Sequence, residues 1–279
     1  MKHTTNTSLL IAALGFLSTA LQADTIYNLA TANIEAPGQN TYVATTAQGG
    51  QGGGLSWGSG KLVFTHGGTS GTSGDYFFGK FTPQILSNVG DVLTLNFTAT
   101  VTYPGTAPTG DQLFRFGFFN TGALTTEAFT NQTGYRVDFG TTGGANSGFR
   151  ERTGSTSNLF ASAPTSPRLS DQTNSDYSFV ITSGTAFSGS LSLELLENGS
   201  VKLTTQVGNL TSVTATDATN AFTTFDTFSF YYVRGLGTGA NTVTFDSLSV
   251  AFTPVPEPST VAALCGLAAL LATIAIRHR

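Results

Sequence analysis

Between Asp24 and Pro254 the chain has no cysteine; its single thiol, Cys265, lies in an apolar stretch near the C terminus. That excludes disulfides, iron–sulfur clusters and thiol catalysis from the body of the protein. Charge is also scarce, at 10% Asp, Glu, Lys and Arg, against about 25% in an average globular domain. His66 is the only histidine in the same span, so a metal site built on several imidazoles is excluded and a Ser–His–acid triad would have to use this residue. It follows Leu62-Val63-Phe64-Thr65 and precedes Gly67-Gly68, the place of a surface turn residue. Setting aside Lys2, Glu257, Arg277 and Arg279 leaves 15 acids against 9 bases, a net charge of −6. With no basic stripe, nucleic acid is not an expected partner. The Gly-rich run Gly49-Gly50-Gln51-Gly52-Gly53-Gly54 is not followed by Lys-Ser/Thr, so it is a loop and not a phosphate cradle.

What the chain does have is 22 Phe, 8 Tyr and 33 Gly, with Thr and Ser at most polar positions. The aromatics provide enough apolar area for a core, which excludes disorder. Thr and aromatics broken by Gly favour strands and turns. Strand-like runs recur at Lys61–His66, Tyr76–Phe81, Val92–Tyr103, Leu113–Phe119, Tyr135–Phe139, Tyr177–Thr182, Leu191–Leu196, Val201–Val207, Phe225–Val233 and Thr242–Phe252. In Val92–Tyr103 the residues Leu93, Leu95, Phe97, Ala99 and Val101 share one face, with Thr on the other. Asn198-Gly199 between two such runs predicts a hairpin with a type I′ turn. The expectation is an all-β, antiparallel two-sheet β-sandwich of jelly-roll type over residues 24–254. Its strand rhythm and the closing Phe245-Asp246-Ser247-Leu248-Ser249-Val250 resemble laminin-G/concanavalin-like domains and carbohydrate-binding modules.

The two ends read as addresses. Lys2 and His3 precede an apolar run from Leu9 to Leu21, and a small residue stands at Ala23. This predicts a signal peptide over residues 1–23, with an N-terminal signal helix. At the other end, Val255-Pro256-Glu257-Pro258 precedes an apolar stretch without charge from Val261 to Ile276, and then Arg277-His278-Arg279. A transmembrane helix is expected over 259–276, with Arg277 and Arg279 as a stop-transfer tail on the cytoplasmic side. Two prolines around Glu257 keep that segment extended. Signal peptide, Pro-Glu-Pro, apolar helix and basic tail, in this order, resemble the sorting architecture of bacterial PEP-CTERM proteins. The resemblance implies an exosortase and the secretion machinery as partners. It also implies cleavage near the motif, transient anchoring in the membrane, and a final place at the cell surface or outside the cell, in the company of exopolysaccharide.

Catalytic constellations are sparse. Glu194 and Glu197 are oddly spaced and run into the hairpin turn, so they point to opposite faces and do not form a glycosidase pair. Asp246 is the one candidate ligand for a structural calcium ion; no other cofactor is expected. The notable cluster is Arg115, Arg136, Asp138, Arg150 and Arg152, which alternate with Phe114/Phe116/Phe118, Tyr135/Val137/Phe139 and Phe149. Alternation places the charges together on one sheet face. That face is expected to be solvated, with cross-strand ion pairs; the sharper alternative is a ligand face for acidic or hydroxyl-rich polysaccharide. The chain therefore reads as a non-enzymatic surface or extracellular-matrix protein. The first alternative is a carbohydrate-binding module, and the second a glycan-degrading enzyme.

Overall fold

Alternation of apolar and hydroxyl residues makes half-buried strands. The structure, a computed structural model, describes residues 23–29, 41–44, 54–66, 74–105, 113–123, 130–141, 147–154, 159–160, 167–169, 174–233 and 241–255, together with the isolated positions 266 and 271. Apart from those positions, the expected signal helix and the membrane helix at 259–276 lie outside the described residues. The strands are β1 (Asp24–Asn28), β2 (Thr41–Ala44), β3 (Gly54–Gly58), β4 (Lys61–His66), β5 (Gly74–Ile85), β6 (Val92–Thr102), β7 (Phe114–Asn120), β8 (Thr133–Phe139), β9 (Gly148–Arg152), β10 (Ala186–Leu195), β11 (Val201–Val207), β12 (Val213–Asp217), β13 (Thr224–Val233) and β14 (Asn241–Thr253).

They form two antiparallel sheets, as the sequence predicts. One has eight strands in the order β12-β11-β10-β6-β14-β4-β3, with β1 beside the C-terminal half of β14; the other has six, in the order β2-β5-β13-β7-β8-β9. Leu93, Leu95, Phe97, Ala99 and Val101 of β6 are all buried, while Thr94, Asn96, Thr98, Thr100 and Thr102 face outward. The sheets are joined by an aromatic seam. Phe97 meets Phe116 and Phe230 of the facing sheet at 5.0 Å between ring centroids, and also touches Phe114, Phe187 and Phe245. Each such ring pair is worth about 0.5–1.5 kcal/mol beyond its area burial.

Bulges adjust the side-chain parity. In β14 the register slips between Phe245 and Ser247, so Asp246 and Ser247 are both exposed while Phe245 and Leu248 both point inward. In β13 the slip lies between Phe225 and Thr227, which lets Phe225 and Phe228 share the core. An extra residue in one strand has this effect.

Two local expectations are corrected. The 195–201 connection is not a type I′ hairpin: Gly199 alone is left-handed (φ 78°), its N–H donates to the Leu196 carbonyl, and the Leu196 N–H donates to that of Ser200. This is a three-residue loop, a type I turn closed by Gly in the left-handed position. Asn198 stays at negative φ because its Oδ1 accepts the Ser200 N–H. The tight two-residue turn with both φ positive is Ser59-Gly60, between β3 and β4. Tyr177–Thr182, expected as a strand, is instead a 3-10 turn (Asn174–Tyr177) followed by irregular chain. There the Phe179 N–H donates to Gly140 while Tyr177 and Ile181 fill the core.

Gly189 of β10 exposes how tightly the seam is packed. A Cβ there would stand 2.2 Å from Cζ of Phe97, and that ring is hemmed in by five others. Gly189→Ala should therefore destabilise the domain by about 1–3 kcal/mol through overpacking, measured by urea unfolding; a neutral result would show that Phe97 can move aside.

Candidate functional site

The arginine cluster sits on the outward face of the six-stranded sheet. Arg115 of β7 lies opposite Asp138 of β8, and Arg136 opposite Arg150 of β9. Asp138 is the hub: its carboxylate is 3.0 Å from Arg136 Nε, 3.1 Å from Arg150 Nε and 4.0 Å from Arg115 Nε. Exposure, however, is contrary to expectation. Arg136, Asp138 and Arg152 are fully buried, and Arg115 and Arg150 retain only 7% and 5% exposure.

The reason is a second apolar layer. Leu159 and Phe160 lie on this face and pack with Tyr76, Phe78, Phe119 and Tyr231. Phe160 accepts a hydrogen bond from Arg115 on its carbonyl (2.9 Å), and its ring lies near the guanidinium of Arg136. Arg115 stacks over Tyr231, 4.4 Å from the centroid. Residues 167–169 run alongside β9, where Glu151 N–H donates to Pro167 and Leu169 N–H to Phe149. Strand alternation thus located the cluster but could not see a cover that comes from outside the three strands. Burial pushes the guanidinium groups of Arg136 and Arg152 down to about 10, still far above neutral, so both remain charged. The cluster holds the cover to the sheet and offers no surface to a polysaccharide.

The remaining sequence candidates separate. Asp246 projects at the β14 bulge and pairs with Lys61. Calcium takes six to eight oxygens; an ammonium already beside this carboxylate does not fit that ion, and among the described residues no three His, Cys, Asp or Glu side chains gather. Glu194 pairs with Lys202 across the β10–β11 hairpin. Gly54-Leu55-Ser56-Trp57-Gly58 carries the Gly-x-Ser-x-Gly spacing of a hydrolase nucleophile elbow, a pattern a triad search should find. Here it forms the extended strand β3, with Ser56 opposite Val63, whereas an elbow requires a sharp strand-to-helix turn.

Two features were not singled out in the sequence. The first is an uncharged groove of about 330 Å³ on the outward face of the eight-stranded sheet, lined by Asn96, Thr98, Ser188, Ser190, Gln206 and Ser247. Register brings them together: Gln206, Ser190, Asn96 and Ser249 form one cross-strand row, and Ser188, Thr98 and Ser247 the next. Beside it a second groove of about 370 Å³ adds Phe179, Val180 and Phe187. Gly208 (φ 57°) closes β11 there, and the Phe179 ring occupies the space where a side chain would stand. The first groove's polar residues read in sequence only as the solvent side of four strands.

The second feature is a clamp at the chain exit. Asp91, buried at the start of β6, accepts the N–H groups of Ser87 and Asn88 on one oxygen and that of Val255 on the other, each at 2.8 Å. Val255 is thereby part of the sandwich, and Pro256 follows at once. Because Asp24 is registered against Phe252, both ends of the body emerge at the same end of the sandwich.

No protein-family model matches the chain, and no curated protein matches it. Solved structures with a similar arrangement include peanut lectin, at 13% identity and a TM-score of 0.46, covering 85% of this chain and 100% of that one. Another is the metal-free carbohydrate recognition domain of Emp46p, at 10% identity and a TM-score of 0.47, covering 82% and 98%. A third is arcelin-5, a lectin-like defence protein from Phaseolus vulgaris, at 8% identity and a TM-score of 0.44, covering 84% and 99%.

The hub role of Asp138 makes a sharp prediction. Asp138→Ala should cost about 3–5 kcal/mol by leaving buried arginines without their shared carboxylate, and the double change Arg136→Met with Asp138→Leu should cost much less than the two single changes together. Chemical denaturation measures both; a change within about 0.5 kcal/mol for Asp138→Ala would instead place the cluster in solvent.

Proposed function

We propose that this chain is an exported, non-catalytic surface or extracellular-matrix protein, delivered by its C-terminal sorting tail and finally situated at the cell surface or outside the cell with exopolysaccharide. The observation that carries this reading is the exit geometry. Val255 is held to the body by Asp91, and Pro256-Glu257-Pro258 follows it in sequence without a spacer. With Asp24 beside Phe252, a signal peptide and a membrane segment attached at the two ends would hold the same end of the sandwich to one membrane. On this reading the exosortase acts at Pro256-Glu257-Pro258, a sequence whose two prolines oppose helix and sheet. Arg277 and Arg279 act as the retaining tail until the cut is made.

This reading is tested by the intact mass of the native protein. The expected mature form begins near Asp24 and ends close to Pro258; a mature form that keeps Arg279 would count against processing.

A second function for the body is favoured by the hydroxyl groove. It is concave and carries no charge. It presents amides and hydroxyls in adjacent rows, with an aromatic and an aliphatic residue at one side, which is the mixture that suits a neutral sugar: polar groups fix its hydroxyls and the apolar wall covers a ring face. The ligand class is then an uncharged polysaccharide, held without turnover. Native electrophoresis of residues 24–255 through gels containing neutral or acidic polysaccharide should show retardation by the neutral polymer alone. The double variant Asn96→Ala, Gln206→Ala should lose about tenfold in affinity, with stability unchanged within about 0.5 kcal/mol as for other surface sites. Equal retardation of both proteins would remove the groove from the reading, and release of reducing sugar would replace it with an enzymatic one.

A further inference from the structure

The end of the sandwich from which the chain leaves also carries exposed apolar side chains. Ile85, the last residue of β5, is 55% exposed, and Val89, in the turn Asn88–Asp91, is 49% exposed. Both lie on the connection from β5 to β6, which crosses from one sheet to the other at the end where β10 finishes: Gly90 N–H donates to the Leu195 carbonyl, and Leu195 N–H to that of Asp91. Val180, the other strongly exposed large aliphatic of the described sandwich, is at the opposite end, where Gly184 N–H donates to Val101.

The connection is fastened to the departing chain. Besides the Asp91 clamp, Gly90 (φ 90°) leaves the space for Val255, whose Cγ2 stands 2.9 Å from where a Cβ would be. Any constraint on the position of Val255 is therefore a constraint on Val89 and Ile85.

We infer that this end of the sandwich is a membrane-contacting surface, with Ile85 and Val89 seated in the headgroup layer of the bilayer that holds residues 259–276. The inference rests on the proposal that those residues span a membrane before processing. Four residue steps separate Val255 from Ser259, and fully extended chain covers at most about 3.6 Å per step, or roughly 14 Å. The headgroup region takes about 5–7 Å of that on each side of the hydrocarbon. So short a tether keeps the clamped turn at the lipid surface and makes its contact an intramolecular event at high effective concentration. Two aliphatic side chains suffice under that condition, although they would not recruit a free protein.

Among the described residues the charges near this end include Asp24, Asp91, Glu197, Asp217 and the Glu194–Lys202 pair. They form no basic patch, so the contact is to a lipid surface through apolar insertion and does not depend on anionic headgroups. The second groove, with Val180 in its wall, then faces away from the bilayer.

The test uses the full chain in phosphatidylcholine vesicles. Cys265→Ala removes the native thiol, and Ile85→Cys, Val89→Cys or Val180→Cys each supplies one site for a polarity-sensitive fluorophore. Labels at 85 and 89 should shift to the blue and be quenched at least twofold by a headgroup-level quencher lipid, with little change on adding salt. The label at 180 should remain water-like. If 85 and 89 behave like 180 while the chain resists alkaline extraction, the contact is overturned and the membrane-spanning reading stands. If the chain is extracted by alkali, the spanning reading fails and the contact fails with it. Unchanged thermal unfolding of each labelled chain confirms that the exposed substitutions left the fold intact.

Discussion

Much of this structure depends on three strands that have no solvent side. In β7, β8 and β9 nearly every described residue is buried, because the facing sheet covers one face and Leu159 and Phe160 lie on the other. An ionised group on such a face must be paired or pay a large desolvation penalty. Asp138 meets that condition with three guanidinium groups, and Arg115 adds a carbonyl partner and an aromatic one. Of five described arginines, four lie on this face, so four of the nine basic residues of a charge-poor body sit beneath a cover. Lys80, on β5 and two strands from β7, ties β5 to β13 and to the end of β7, where its ammonium meets Asp226, Thr121, Thr227 and the Gly122 carbonyl.

The consequence is a division between the sheets. With the outward face of β7, β8 and β9 closed, that part of the six-stranded sheet contributes rigidity, while the eight-stranded sheet keeps an open face of Thr, Ser, Asn and Gln. Its ion pairs among the described residues, Lys61–Asp246 and Glu194–Lys202, do not line the groove, although Asp246 adjoins Ser247. Pairs of that kind on a surface contribute little stability. The aromatic seam around Phe97 supplies what the surface does not, since a body without disulfides must hold together through its core.

The two ends of the sandwich are chemically distinct as well. At one end Asp91, Val255, Asp24 and the hairpin at Gly199 collect both chain termini of the body. Tyr135 closes the core at this end, where its hydroxyl donates to Asp217 and accepts the Phe222 N–H. Burial and the bond to Asp217 raise its pKa far above the usual range, so it remains a neutral donor. At the other end lie the Phe179–Gly208 contact and the second groove. The ends of the body chain and its open polar groove thus lie at different places.

The sequence alone determined the properties that depend on short-range chemistry. Alternation in Val92–Tyr103 and in Phe114–Phe118 placed Leu93, Phe97 and Phe116 inside, and the missing cysteines and histidines excluded whole classes of chemistry. The parity of Arg115, Arg136 and Asp138 placed them on one face, since period-two geometry is a property of the strand itself. Tertiary structure decided everything that depends on what comes to lie opposite. It buried the arginines beneath Phe160, paired Asp246 with Lys61, laid Ser56 flat in an edge strand, and gathered Asn96, Ser188 and Gln206 into a groove from strands up to 110 positions apart. Even Asn198-Gly199, a local signal, gave a different turn because Asn198 found a partner in Ser200. A residue's own alternation states which way it points; only the register of the neighbouring strands, and the loops that cross them, state whether it meets water, another charge or a ring.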